Sequence, residues 1–170
     1  MRPSPGGITA SGLSATTLLL IILGLVAVEH RPALASEQPG TMPVVGLVYT
    51  EFDPPEPDWM PGHRGLDLTV SVGDRVRAPR LGVVGFVGEI AGVPIMTIWH
   101  GRARSTYQPV ETKLLPGQMV QPGDVIGHIV AAGQHCDVPC LHWGLRIDDV
   151  YLDPRLLLGG GRVRLISVHD

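Results

Sequence analysis

The sequence lacks a convincing amphipathic helix, is poor in charged residues and contains a single lysine. Charged residues make up 17% of the 170-residue chain, and the formal net charge is -3. A mildly acidic chain without a basic stripe argues against a nucleic-acid-binding protein, because such proteins neutralise phosphates with clustered Lys and Arg. The single lysine, Lys113, has no flanking Met. That argues against a carrier domain, which presents a modifiable lysine on a hairpin tip.

Long apolar runs are also scarce. The segment Leu18–Val28 is an eleven-residue apolar run, whereas a spanning helix needs roughly 20 such residues. Arg2 precedes this run, and Ala33-Leu34-Ala35 forms a small-x-small cleavage pattern before Ser36. We therefore predict that residues 1–35 are a signal peptide, with an uncleaved membrane anchor as the alternative. Either way, the domain that follows lies outside the cytoplasmic membrane, in the cell envelope or secreted.

Cysteine is limited to Cys136 and Cys140. Export to an oxidising compartment favours a disulfide between them. The alternative is a metal-binding pair, but the C-x₃-C spacing has no second pair to complete it. A disulfide would fix the shape of residues 134–142. It would also leave Cys140 unable to act as a thiolate ligand or nucleophile.

Glycine and proline are abundant, with 22 and 16 residues, and they separate short apolar runs. This rhythm predicts an all-β fold, an antiparallel β-sheet sandwich with long loops. The predicted strands are 44–49, 66–72, 75–78, 83–87, 95–100, 105–107, 125–130 and 141–147.

The remaining segments outline one domain. Residues 36–43 are predicted to be a linker, 44–158 the domain and 159–170 a Gly-rich tail. Within the domain, residues 51–62 contain four Pro and four acidic residues and are predicted to form a surface loop. Residues 155–158, after Asp153-Pro154, are expected to form one turn of helix.

Three polar residues suggest a metal site. His63 and Asp67 are four residues apart, and Leu66–Val70 alternates as a strand that would turn Asp67 away from the core. A second predicted strand carries His142. Two imidazoles and one carboxylate are the ligands that zinc prefers when it keeps one position open for water.

The H-x-x-x-D element, followed late by L-H-W-G, resembles the lysostaphin-type (LytM-like) zinc metallopeptidases, which cut peptide cross-bridges of bacterial peptidoglycan. The resemblance runs from about Val44 to Leu158. It includes the segments Gly62–Asp67, Val76–Pro79, Gly82–Val84, Ser105–Tyr107, Val120–Gly127 and Tyr151–Pro154. It implies a LytM-type sandwich, one Zn²⁺ held by His63, Asp67 and His142, and a cell-wall peptide as substrate.

Two positions depart from the family pattern. Pro109 and Cys140 stand where the family usually has the two histidines that handle the proton and polarise the reacting groups. Two other residues are candidates to replace them. His135, beside Cys136, either acts in catalysis or is an exposed loop side chain, and Tyr107 either binds a substrate carbonyl or caps the sheet. We expect weak or absent peptidase activity despite zinc binding. The competing predictions are a non-catalytic module that binds peptidoglycan or regulates another cell-wall hydrolase, and a secreted structural domain without metal.

Overall fold

The computed structural model describes residues 39–57, 59–133 and 135–159. Within these ranges the regular structure consists of strands and one 3₁₀ turn, Pro154–Leu157. The strands are β1 Val48–Thr50, β2 Gly65–Thr69, β3 Arg75–Arg77, β4 Gly82–Ile90, β5 Val93–His100, β6 Ala103–Gln108, β7 Val110–Glu111, β8 Met119–Val120, β9 Val125–Ile129, β10 Cys140–Ile147 and β11 Val150–Leu152. Among the residues described, no helix has the length and apolar character needed to cross a membrane.

The strands form two antiparallel sheets. The larger has eight strands in the order β1-β2-β10-β6-β5-β4-β8, with β11 paired to β10, and the smaller has the order β3-β9-β7. Strands β2, β10 and β6 are adjacent at the centre of the larger sheet. The predicted all-β antiparallel sandwich is therefore confirmed.

One hydrophobic core is shared by both sheets. Leu66 and Leu68 of β2 and Trp143 of β10 are fully buried in it, together with Val76 of β3 and Ile126 of β9. Burying each such side chain contributes about 1.5–3 kcal/mol. Because strand side chains alternate between faces, the residues between these apolar positions face the opposite side of the larger sheet.

Some predicted boundaries differ from the structure. The run Val44–Tyr49 forms a strand only from Val48, since Val44 turns into the core at 5% exposure while Val45 is fully exposed. An unbroken apolar run has no period of two, so its sequence does not specify where pairing starts. The strand predicted to reach Val72 ends at Thr69, where a turn follows with Ser71 N–H donating to the Asp74 carboxylate over 2.7 Å.

The short elements show a similar pattern. The strands β7, β8 and β11 were not predicted, because runs of two or three residues are too short to show a period. The helical turn after Asp153 is confirmed, and the Asp153 side chain accepts from the N–H of Arg155. Residues 39–43 of the predicted linker contact the domain: Gly40 N–H donates to Leu158 O over 3.1 Å. The predicted signal peptide, 1–35, and residues 160–170 of the predicted tail lie outside the described residues.

Candidate metal centre

The register of two central strands brings the predicted metal-site residues together. Asp67 of β2 pairs directly with His142 of β10, so both side chains project from the sheet face opposite the core. His63 lies just before β2 and is held by a two-way backbone pairing with Asp53, at 2.9 and 2.7 Å. His135 comes from the loop between β9 and β10.

One carboxylate oxygen is the centre of this cluster. Asp67 Oδ1 lies 2.9 Å from His142 Nδ1, 2.9 Å from His135 Nε2 and 3.1 Å from His63 Nε2. His63 Nε2 and His142 Nδ1 are 3.2 Å apart. One donor atom from each of the four side chains lies within 4.8 Å of all the others. Donors that close together can bind a single metal ion.

The electrostatics of the cluster favour a cation. Asp67 is 2% exposed. Burial would raise the pKa of its carboxyl, but hydrogen bonds from His142 and His135 and the nearby His63 outweigh burial and hold that pKa well below its usual range. Asp67 is therefore a buried anion surrounded by imidazoles.

The hydrogen bond that His63 makes outside the cluster decides which of its ring nitrogens can bind a metal. Nδ1 lies 2.6 Å from Glu51 O, and since a carbonyl only accepts, Nδ1 carries the proton. In the neutral form of His63, the Nε2 lone pair then points into the cluster, which is the arrangement that metal-binding histidines use. Three imidazoles and a carboxylate form a donor set that fits zinc.

The sequence-predicted site residues have separate outcomes. His63, Asp67 and His142 converge, as expected from their positions. His135 joins them, and its side chain, at 40% exposure, is more open than those of His63 and His142, at 18% and 17%. The Cys136–Cys140 disulfide is confirmed, with a Cα–Cα distance of 6.2 Å, and it closes directly after His135.

Tyr107 requires a correction. It pairs with Trp143 on the core side of β6 and is fully buried, and its hydroxyl lies 2.9 Å from Ser105 Oγ. Burial raises the pKa of this phenol. A side chain enclosed on that face cannot reach a substrate carbonyl, so of its two predicted roles the structural one holds. Sequence reasoning missed Gln108 instead, the neighbour of His142 on the site face. Strand alternation from Tyr107 could have identified it.

A groove of about 270 Å³ extends along the same sheet face from the candidate metal centre, which is the cluster of His63, Asp67, His135 and His142. His142 and Gln108 line its metal end. Its far part is lined by Arg104, Arg146 and Tyr151. The groove gives an extended ligand room beside the cluster.

Comparisons with known proteins agree with this geometry. The model for peptidase family M23 matches residues 61–154. Uncharacterized proteins of Mycobacterium tuberculosis (Rv2891) and Mycobacterium bovis (Mb2915) are each 38% identical over 124 residues, which is 69% of this chain. The chain spans about half the length of these curated relatives, 50% in each case.

Solved structures share the fold. A zinc-containing peptidase from Vibrio cholerae superposes with a TM-score of 0.60 at 21% identity, covering 69% of this chain and 39% of that one. The catalytic domain of the antimicrobial peptidase lysostaphin from Staphylococcus simulans gives a TM-score of 0.56 at 20% identity, covering 66% and 92% of the two chains. At these identities the likeness concerns the fold.

Proposed function

Because the chain belongs to peptidase family M23, we propose that it is an exported domain that acts on the peptide cross-bridges of bacterial peptidoglycan through one zinc ion. The observation that supports this best is the convergence of His63, His135 and His142 on Asp67 Oδ1 at 2.9–3.1 Å. The shared fold of the antimicrobial peptidase lysostaphin is consistent with a peptide substrate.

The ligand assignment follows from the position of each donor. His63, Asp67 and His142 lie on or beside the paired central strands, and we assign them as the zinc ligands. A bound zinc ion would polarise a peptide carbonyl and lower the pKa of a water molecule.

We assign the proton transfer to His135. It lies on a loop at the open side of the cluster, and an imidazole exchanges protons near neutral pH. Pro109 has no side-chain group that can take up a proton, and the disulfide removes Cys140 from acid–base chemistry. We therefore propose that turnover is slow, since losing one preorganised catalytic group costs on the order of 10²–10³ in rate.

The first experiment measures zinc content and cleavage of labelled peptidoglycan, with and without chelator. We expect about one zinc per chain and slow, chelator-sensitive cleavage, and His142→Ala should lose both. A protein that binds no zinc would refute the proposal.

His135→Ala separates two roles for this residue. Loss of cleavage with zinc content unchanged supports proton transfer. Loss of zinc as well would make His135 a fourth ligand, and a site closed by four protein ligands is typical of structural zinc.

A non-catalytic module that binds peptidoglycan or regulates another hydrolase is the second candidate, favoured by the substitutions at Pro109 and Cys140. It predicts zinc and peptidoglycan binding without cleavage.

The domain organisation is also proposed: a signal peptide at 1–35, a linker at 36–43, the peptidase domain at 44–158 and a tail at 159–170. Fusion of residues 1–43 to a reporter that functions only outside the cytoplasm tests the export signal.

A further inference from the structure

Two arginines face each other across the central strands, close to the metal centre. Arg104 of β6 and Arg146 of β10 are direct register partners. Arg146 is four residues from His142 on the same strand, so the two side chains share the site face. Four residues of strand span about 13 Å, and both arginines line the same groove as His142.

Like charges directly opposite each other in a sheet are destabilising, and the neighbouring acids offset this pair only in part. Arg146 forms an ion pair with Asp149 and donates through Nε to Asp148 O over 2.6 Å. Asp148 pairs through its carboxylate with Arg102. No acidic partner of Arg104 is present within the described part of the chain.

Arg104 is held in place without an anion. Its guanidinium lies over the Trp99 ring, 5.4 Å from the centroid. Its Nε is buried and has no hydrogen-bond partner within the described ranges. That nitrogen is enclosed by protein, but no acidic side chain of the described ranges neutralises the Arg104 charge, so an anion in the groove would be attracted to it.

A third cation borders the same groove. Arg64 and Arg146 both stack on the Tyr151 ring, with guanidinium carbons 5.8 and 5.5 Å from its centroid. Three arginines therefore line one groove. Its floor between these arginines and the metal centre includes Gly144, whose added Cβ would find its nearest neighbour at 3.7 Å. A small residue there leaves space for an extended peptide backbone.

We propose that Arg104 and Arg146 form a subsite for a carboxylate of the substrate peptide, within about four residues of the bond that is cut, since an extended chain spans about 3.3–3.6 Å per residue. The planar guanidinium groups suit bidentate binding of a carboxylate. The subsite rests on the proposed peptidase function and specifies its substrate as an acidic peptide. The carboxylate is either that of the peptide's C-terminus or that of an acidic side chain.

The test compares soluble peptidoglycan fragments whose carboxylates are free with the same fragments after conversion to amides. Binding is measured by calorimetry on the His142→Ala protein, so that cleavage does not enter the measurement. We expect the amidated fragments to bind about 10-fold more weakly or worse, as the loss of a charge-assisted hydrogen bond implies. Synthetic peptides amidated only at the C-terminus or only at an acidic side chain identify which carboxylate is bound.

The variants Arg104→Gln and Arg146→Gln, each made in that background, should remove the preference for free carboxylates. Arg75→Gln is the matched control, because Arg75 is exposed on β3 of the smaller sheet; it should keep the preference. Equal binding of free and fully amidated fragments overturns the subsite, and this arm needs no arginine variant to fold. If the native protein cleaves no peptidoglycan while the His142→Ala protein still binds fragments in a carboxylate-dependent way, the proposed activity is contradicted and the subsite stands.

Discussion

At the residue scale, the two faces of one strand decide which side chains can act. Asp67 and Leu66 are neighbours, yet Asp67 is the anion at the centre of the histidine cluster and Leu66 is in the core. The same alternation turns Tyr107 inward, against Trp143, while Gln108 faces the groove. The chemical role of a residue can therefore be inferred from its type only when the face of the sheet on which its side chain lies is known.

Replacement of Tyr107 by Phe tests this placement. The hydroxyl contacts Ser105 in the core and lies on the face opposite the groove, so peptidoglycan cleavage and binding should not change. The free energy of unfolding should fall by about 1 kcal/mol, the contribution of one hydrogen bond. Denaturant unfolding and a cleavage assay measure the two quantities. A loss of activity in a stably folded Tyr107→Phe protein would show that the hydroxyl does reach the substrate.

His100 gives the protein a pH-dependent stability. Burial is the main cause that lowers its pKa below the ordinary value of 6.5. Its Nδ1 lies 2.9 Å from Leu81 O and its Nε2 lies 2.9 Å from Ser105 Oγ. Because the folded-state pKa is the lower one, the folded protein binds fewer protons than the unfolded chain. The contribution of His100 to stability is thus complete above pH 6.5 and is lost as pH falls through the folded-state pKa.

The measurement is denaturant unfolding at several pH values between 7.5 and 5 for the native protein and for His100→Gln. As pH falls, the free energy of unfolding should decrease more for the native protein than for His100→Gln. The difference in unfolding free energy between the two proteins should therefore narrow. The two proteins differ only at residue 100, so every other ionisable group contributes equally to both and cancels in the comparison. Parallel loss of stability in the two proteins would contradict the role of His100.

At the element scale, the close approach of strands β2 and β10 determines the space around the candidate metal centre. Gly65 of β2 pairs with Gly144 of β10. A Cβ at Gly65 would lie 2.7 Å from the His142 imidazole and 2.7 Å from Trp143 O, whereas a Cβ at Gly144 meets nothing closer than 3.7 Å. Gly65 is needed for space beside the His142 imidazole, whereas Gly144 has room for a Cβ.

This difference predicts opposite outcomes for two similar substitutions. Gly65→Ala should displace His142, weaken zinc binding and cost about 1–3 kcal/mol, as overpacking does. Gly144→Ala, its matched control on the paired strand, should keep zinc affinity and fold with little loss of stability. Zinc titration and thermal unfolding of both proteins test the pair. Equal zinc affinity in the two would mean that the β2–β10 approach is less constrained than the structure indicates.

At the scale of the whole molecule, the metal centre joins distant parts of the chain. Its side chains come from His63, from strands β2 and β10 and from the loop that carries His135. A metal ion bound there would connect these segments in the folded state alone. Binding restricted to the folded state stabilises it by mass action.

Removal of zinc should therefore lower the melting temperature. Free zinc at 100 times its Kd would stabilise the folded protein by about 2.7 kcal/mol. Scanning calorimetry with and without chelator measures this, and addition of zinc should restore the transition. His142→Ala should melt at the same temperature in both conditions. A chelator-insensitive melting temperature in the native protein would mean that zinc does not link these segments.

The sequence by itself determined the fold class, the faces of the central strands and the identity of three converging residues. These follow from local patterns: a period of two places Asp67 and His142 away from the core, and frequent Gly and Pro separate short strands. The C-x₃-C spacing, in a chain that the sequence predicts to be exported, was likewise enough to predict the Cys136–Cys140 disulfide. Residues that are near one another in sequence carry such information without reference to the rest of the fold.

Only the tertiary structure decided which distant residues meet. The loop conformation places His135 at 2.9 Å from Asp67, and the pairing of β6 with β10 places Arg104 opposite Arg146 and Tyr107 against Trp143. A shift of one residue in the β6–β10 pairing would give both Arg104 and Tyr107 different neighbours. Register depends on packing and hydrogen bonding summed over the whole sheet, and no short segment of the chain contains that sum.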